Sequence, residues 1–205
     1  MKRRITSFAV LVLSLLMAAP MLADELSLTQ IGEVVTAPKA GQYYVIQGNG
    51  QAGQITWLFD NDGALSATNS TEAPTGPEAM KYVWTFEVTD DGFAAQNLTT
   101  GRYIHIAGTS NGGAVQMQTE PSYFSIDVDG DYVAFKNASD QYIDMQYNGT
   151  NPATWSGGVA GSRRLNIYIA TVEGVDDLTI AKDRLNSCFF TKSMKMKLMI
   201  FMISL

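Results

Sequence analysis

Apolar and polar residues alternate along most of this chain, in short runs cut off by Gly, Asn and Asp. Trp84, Phe86 and Val88 alternate with Thr85 and Glu87, and Phe124, Ile126 and Val128 alternate with Ser125 and Asp127. A period of two puts every second side chain on one face, which is the signature of a half-buried strand. The alternation predicts Trp84, Phe86 and Val88 on one buried face, and Phe124, Ile126 and Val128 on an equivalent one. Between Gly41 and Ala170 no stretch carries a helical period. Turn residues recur every eight to twelve positions or so, which predicts a barrel or sandwich of many short strands.

The strands come in sets. One set is Trp84–Val88, Gly92–Asn97 and Gly101–Ile106; the other is Phe124–Val128, Asp131–Asn137 and Gln141–Met145. The two are offset by about forty residues, and Asn97 and Asn137 open matching turns. Such a period means one supersecondary unit used repeatedly. Thr56-Trp57-Leu58-Phe59 to Ala67 reads as a degraded first copy. Gly41–Ile46 opens the folded region, and Leu165–Ile169 is expected to pair with it near Tyr43, leaving no open sheet edge.

The ends differ from the middle. Met1-Lys2-Arg3-Arg4, an apolar run from Phe8 to Met17 and small residues ending at Ala19 or Ala23 read as a signal peptide over 1–23, which predicts export from a bacterial cell: secreted, periplasmic or at the cell surface. Residues 24–40 form a lead-in, an edge strand or an extended arm; 41–172 form the β domain; 173–205 form a tail. Within the tail, Val175–Leu185 has the acidic start of a short helix. After Asn186 the composition turns Met-rich, basic and apolar, and three readings stand together: an out-of-frame or truncated end, a membrane-contacting segment, or a segment packed on the β domain.

Charge and cysteine narrow the chemistry. Asp and Glu number 20 against 14 Lys and Arg, a net charge of −6. That balance argues against nucleic acid, whose affinity rests on Lys and Arg releasing counterions. Cys188 is the single cysteine and His105 the single histidine. No intramolecular disulfide is possible, so core burial must hold the domain, and no Cys/His cluster suggests a zinc site. No cofactor is expected.

Three strand sets with Trp84-x-Phe86, Gly92-Phe93 to Asn97 and Gly101-Arg102-Tyr103-Ile104 resemble the all-β ricin-type β-trefoil, in the divergent cysteine-free form carried by secreted bacterial proteins. The resemblance spans roughly Gly41 to Val172. It implies pseudo-threefold repeats and a lectin-like binding module. In that family an Asp after the third-strand aromatic, a later aromatic platform, and an Asn or Gln near the closing strand hold the sugar. By that likeness the third copy offers Asp144, Trp155 and Asn166, with Leu165-Asn166-Ile167 standing for the family's Gln-x-Trp. The competing reading makes Asp144 a solvated strand residue and Trp155 a plug for the barrel.

The second copy has His105 where the third has Asp144, and the first copy lacks the set. Asp90-Asp91, Asp127, Asp129 and Asp131 sit beside Gly92 and Gly130 and read as strand-end turns, rather than as a catalytic pair or a calcium loop. No Gly-x-Ser-x-Gly elbow is present, so a triad would rest wholly on His105. The expected partner is a glycan or, alternatively, an extracellular protein held as by an inhibitor or scaffold through the loops Asn69–Ala79 and Gly108–Gly113. No catalytic or metal-binding residue is assigned.

Overall fold

A computed structural model describes residues 26–50, 53–146 and 150–174. The expected signal peptide (1–23) and the tail from 175 onward, with its expected short helix, lie outside the described residues. The rest is strand with two 3-10 turns, η1 (Pro77–Tyr82) and η2 (Gly161–Arg163). The strands are β1 (Ser27–Val35), β2 (Tyr43–Asn49), β3 (Ile55–Asn61), β4 (Ala64–Asn69), β5 (Val83–Thr89), β6 (Gly92–Asn97), β7 (Tyr103–Ile106), β8 (Val115–Gln118), β9 (Ser125–Asp129), β10 (Tyr132–Lys136), β11 (Tyr142–Asp144), β12 (Ala153–Trp155) and β13 (Leu165–Glu173).

The pairings repeat three times. Three antiparallel pairs, β13–β2, β5–β6 and β9–β10, each lead into a third and a fourth strand: β3–β4, β7–β8 and β11–β12. The pairs then join side by side through Tyr44↔Trp84, the bridge Phe93↔Phe124, and Val133↔Leu165. This register makes Leu165, Trp84 and Phe124 equivalent, and likewise Ile167, Phe86 and Ile126. Closure of β13 on β2 agrees with the sequence expectation, with Ala170↔Tyr43 at one end and Leu165↔Gly48 at the other.

The first copy is therefore not degraded. It borrows its leading strand from the far end of the chain, and Trp57-Leu58-Phe59 lies on its third strand, equivalent to Tyr103-Ile104-His105 and Tyr142-Ile143-Asp144. Its signature is masked at one further point. Gly48 holds the place of Asn97 and Asn137; a Cβ there would lie 2.8 Å from Met145 Cγ, so the Met145 side chain would have to shift.

In the other copies the Asn organises the turn. Asn97 Oδ1 accepts from the amides of Thr99 (3.1 Å) and Thr100 (3.2 Å), and Asn137 Oδ1 from Ser139 (2.9 Å) and Gln141 (3.0 Å). Each side-chain amide also donates across to another segment, Asn97 to Lys81 O and Asn137 to Ile106 O. A short side chain that closes its own turn and ties down a neighbour explains why Asn recurs at this point.

The core gathers the equivalent faces. Tyr44 packs edge-on to Phe86 (5.4 Å), Phe86 edge-on to Phe135 (6.1 Å), and Phe135 stacks on Phe124 (4.5 Å). The cross-strand pairs share the space: Phe86 faces Ala95, Ile126 faces Phe135, and Ile167 faces Ile46. In the second copy a large residue meets a small one, and in the first two residues of equal size meet, as dense packing allows. The alternation fails at the strand ends. Val88 and Val128 are 43% and 54% exposed, because the hairpins β5–β6 and β9–β10 run past the barrel before they turn. The lead-in is a strand: β1 pairs antiparallel with β13, and Leu28 enters a second apolar cluster with Trp57, Met80, Tyr82 and Val83.

The shared volume makes a testable pair. Ala95→Phe alone should cost about 1–3 kcal/mol by overpacking against Phe86. Adding Phe86→Ile, which copies the Ile126–Phe135 arrangement, should recover part of that loss in urea unfolding, so that the double variant is more stable than the sum of the singles. Strict additivity would show that the two side chains do not share one space.

Candidate functional site

The third-copy hairpin β11–β12 pairs Tyr142 with Trp155, Ile143 with Thr154 and Asp144 with Ala153. Alternation sends Ile143 and Thr154 inward, where both are fully buried, and puts Tyr142, Asp144, Ala153 and Trp155 together on the outer face. Trp155 is 44% exposed, so it does not plug the barrel. It stands diagonally across the hairpin from Asp144, a relation that brings Cβ atoms to roughly 7–8 Å.

Trp155 is held from behind. The loop before β8 lies along β12: Thr154 N donates to Gly113 O (3.0 Å), Gly112 N to Thr154 O (2.7 Å), and Thr154 Oγ1 to Ser110 O (2.7 Å). A Cβ at Gly113 would lie 2.7 Å from Thr154 Oγ1. Only glycine lets the loop come this close.

Asp144 is not solvated. Its side chain is buried, and its carboxylate is aimed by three donors. Oδ1 accepts from Gln146 N (2.7 Å) and Ser162 Oγ (2.7 Å), and Oδ2 pairs with Arg163 Nη1 (3.2 Å). Arg163 is itself anchored, donating through Nε to Gly158 O at 2.7 Å. A buried carboxylate needs such partners to stay charged. Among the described residues Oδ1 accepts two hydrogen bonds and Oδ2 accepts one, from Arg163.

Asn166 lies elsewhere. Its amide donates to Asp131 O (3.1 Å) and its oxygen faces Asn49 Nδ2 (3.4 Å), and no hydrogen bond joins it to Asp144 among the described residues. The register explains the difference. Leu165, not Ile167, is the equivalent of Trp84, so the tripeptide in the Gln-x-Trp place is Arg163-Arg164-Leu165. Arg163 is the residue that reaches Asp144, and sequence reasoning passed over it because a charged residue at that place matched no motif.

The same contact recurs in the other copies with different chemistry. His105 Nδ1 meets Ser122 Oγ at 2.8 Å, and Phe59 packs edge-on to Tyr82 at 5.6 Å. An aromatic pair, a histidine–serine hydrogen bond and an ion pair occupy one geometric slot in the three copies. A neighbouring slot behaves likewise. Trp57 packs on Tyr168 (6.0 Å), Tyr103 donates to Glu87, and Tyr142 donates to Asp127 (2.7 Å). Asp127 and Asp129 also pair with Lys136 (3.4 Å) and Arg164 (3.1 Å), and Gly130 turns the hairpin at φ +63°.

No protein-family model matches the chain, and no curated protein matches it. Solved structures do. The Macrolepiota procera ricin B-like lectin, solved in complex with lactose, is 18% identical, with a TM-score of 0.51 over 64% of this chain and 98% of that one. The BEL β-trefoil in an apo crystal form is 12% identical, with a TM-score of 0.50 over 64% of this chain and 95% of that one. The fold is a β-trefoil. A third likeness is to the endo-β-galactosidase from Clostridium perfringens that releases GlcNAcα1-4Gal, at 16% identity and a TM-score of 0.50. The match covers 62% of this trefoil chain and 32% of that enzyme.

The tyrosine–carboxylate slots carry a pH signature. The hydrogen bond to Glu87, then burial, then the Glu87 charge push the Tyr103 hydroxyl up to about 12. Tyr142 is raised for the same reasons through Asp127. A phenol raised in the folded state stabilises fully below its unfolded pKa, near 10, and the contribution is lost as pH rises through the folded value. Stability should therefore fall between about pH 10 and pH 12. Tyr103→Phe should remove the highest step from the tyrosinate absorbance titration. A wild-type titration complete near pH 10 would contradict the contact.

Proposed function

We propose that this chain is an exported, non-catalytic carbohydrate-binding module, with its glycan site on the outer face of the third repeat. Trp155 supplies the platform for a sugar ring and Asp144 the acceptor for a hydroxyl. One observation carries the reading: an exposed indole shares a hairpin face with a carboxylate already aimed by Ser162 and Arg163. Sugar recognition needs this combination, a flat apolar surface beside a polar group of fixed direction. Aiming Asp144 beforehand removes the ordering cost that a free side chain would incur on binding.

The lactose complex of the Macrolepiota procera lectin supports the ligand class by analogy of fold. Asn166, assigned to this site by the family pattern, plays no part in it on this reading; Arg163 takes the orienting role. The equivalent faces are differently equipped, with Phe59 and His105 in the place of Asp144, so one site is expected. A single site of this size binds weakly unless glycans or modules are arrayed. The non-catalytic reading rests on His105, which spends Nδ1 on Ser122 and lies in the second copy, away from the face that carries Asp144 and Trp155.

A second reading, a protein-binding scaffold, draws on the exposed hairpin-tip side chains Val88 and Val128 and on exposed Tyr123.

Trp155→Ala should lower glycan-array binding at least about tenfold, or 1.4 kcal/mol, with the circular dichroism spectrum unchanged. Unchanged binding in that variant would remove the indole from the site. A wild-type array without signal, together with capture of a defined extracellular protein that is lost on replacing Val88 and Val128, would favour the scaffold.

A further inference from the structure

A groove of about 500 Å³ opens where β1, β13, the end of β2 and the β9–β10 turn meet. It has nothing in common with the Asp144–Trp155 face. Its floor is carboxamide: Asn49 Nδ2 donates to Arg164 O (3.0 Å), Asn166 Nδ2 donates to Asp131 O (3.1 Å), and Gln47 Oε1 accepts from the Tyr168 hydroxyl (3.4 Å). Arg164 lies over the Tyr132 ring at 4.8 Å and pairs with Asp129 at 3.1 Å. Val34 of β1 completes the wall.

The repeats provide an internal control. The positions equivalent to Arg164 and Asn49 are Val83 and Leu98 in one copy, and Tyr123 and Ala138 in the other. At the first of these junctions the second apolar cluster takes both residues, Val83 as a buried member and Leu98 packed against it. The framework therefore does not need amides here. At the junction with the β9–β10 turn the same two places hold Arg164 and Asn49, both polar.

The charges narrow the occupant. Asp129 neutralises Arg164 and leaves the Asp131 carboxylate in the lining, which disfavours an anion. The Tyr132 face already holds a cation, which disfavours a quaternary amine. Carboxamides present donor and acceptor together and carboxylates accept, a set that matches hydroxyl groups, each of which does both. We propose that this groove is a second binding site, for a neutral polyhydroxylated ligand such as one sugar residue or a polyol. Asn166 belongs to it.

The proposal stands independently of the Trp155 face and is tested apart from it. Amide NMR spectra of the protein are recorded with lactose, N-acetylglucosamine or sorbitol, and separately with choline and with inorganic phosphate. With at least one neutral probe, shifts are expected at Asn49, Gly130, Asp131 and Tyr168. They should persist in Trp155→Ala and weaken about tenfold in Kd in Asp131→Ala. That variant keeps the backbone carbonyl used by Asn166, and Tyr168→Phe gives a second, fold-sparing check. Silence at these amides with every neutral probe, response to choline or phosphate alone, shifts that vanish with Trp155, or shifts indifferent to both groove variants would each overturn the proposal.

Discussion

One strand decides whether this sequence makes a closed structure. β13 pairs with β2 along six residue pairs and touches β10 at Val133↔Leu165, so it is both the leading strand of the first copy and the seam of the barrel. Without it, β2 would expose one edge and Tyr44, Ile46 and Phe135 would lose their cover. The contact spans most of the β domain, and its loop-closure cost must be met before its burial stabilises anything. The chain meets that cost with apolar packing alone, since the lone Cys188 excludes an intramolecular disulfide.

Once closed, the barrel holds three copies of each outer slot in fixed geometry, and the slots have diverged. The first copy fills them with rings, Phe59–Tyr82 and Trp57–Tyr168. The second and third use hydrogen bonds and charge, through His105–Ser122, Asp144–Arg163 and the two tyrosine–carboxylate pairs. Framework and chemistry are thus separable. Inward residues build one shared apolar core, while outward residues carry what is particular to each copy. Both proposed sites lie where one copy departs from the other two.

The strands, the repeat and the closing pair were legible because alternation, Asn97 and Asn137, and Gly-bounded turns are local signals. The first copy was misread because its leading strand lies more than a hundred residues away and because Gly48 stands where the other copies have Asn. Val88 and Val128 followed the period of their strands but not their length, which overshoots the barrel. At the candidate site, Asp144 and Trp155 were named through the family resemblance, and strand pairing sets them on one hairpin face. Arg163 was missed because its role depends on a three-dimensional register that placed the Gln-x-Trp equivalent two residues earlier. Asn166 was grouped with Asp144 by the family pattern, whereas its hydrogen bonds run to Asn49 and Asp131.

The most direct measurement of the account is a set of inter-strand nuclear Overhauser contacts across the three junctions. Contacts linking Tyr44 to Trp84, Phe93 to Phe124 and Val133 to Leu165 are expected together with the Ile46–Ile167 contact inside the closing pair, since they belong to one closed ring of strands. Intact hairpins β5–β6 and β9–β10 without the Ile46–Ile167 contact would mean an open sheet, and would contradict the threefold barrel on which both sites are built.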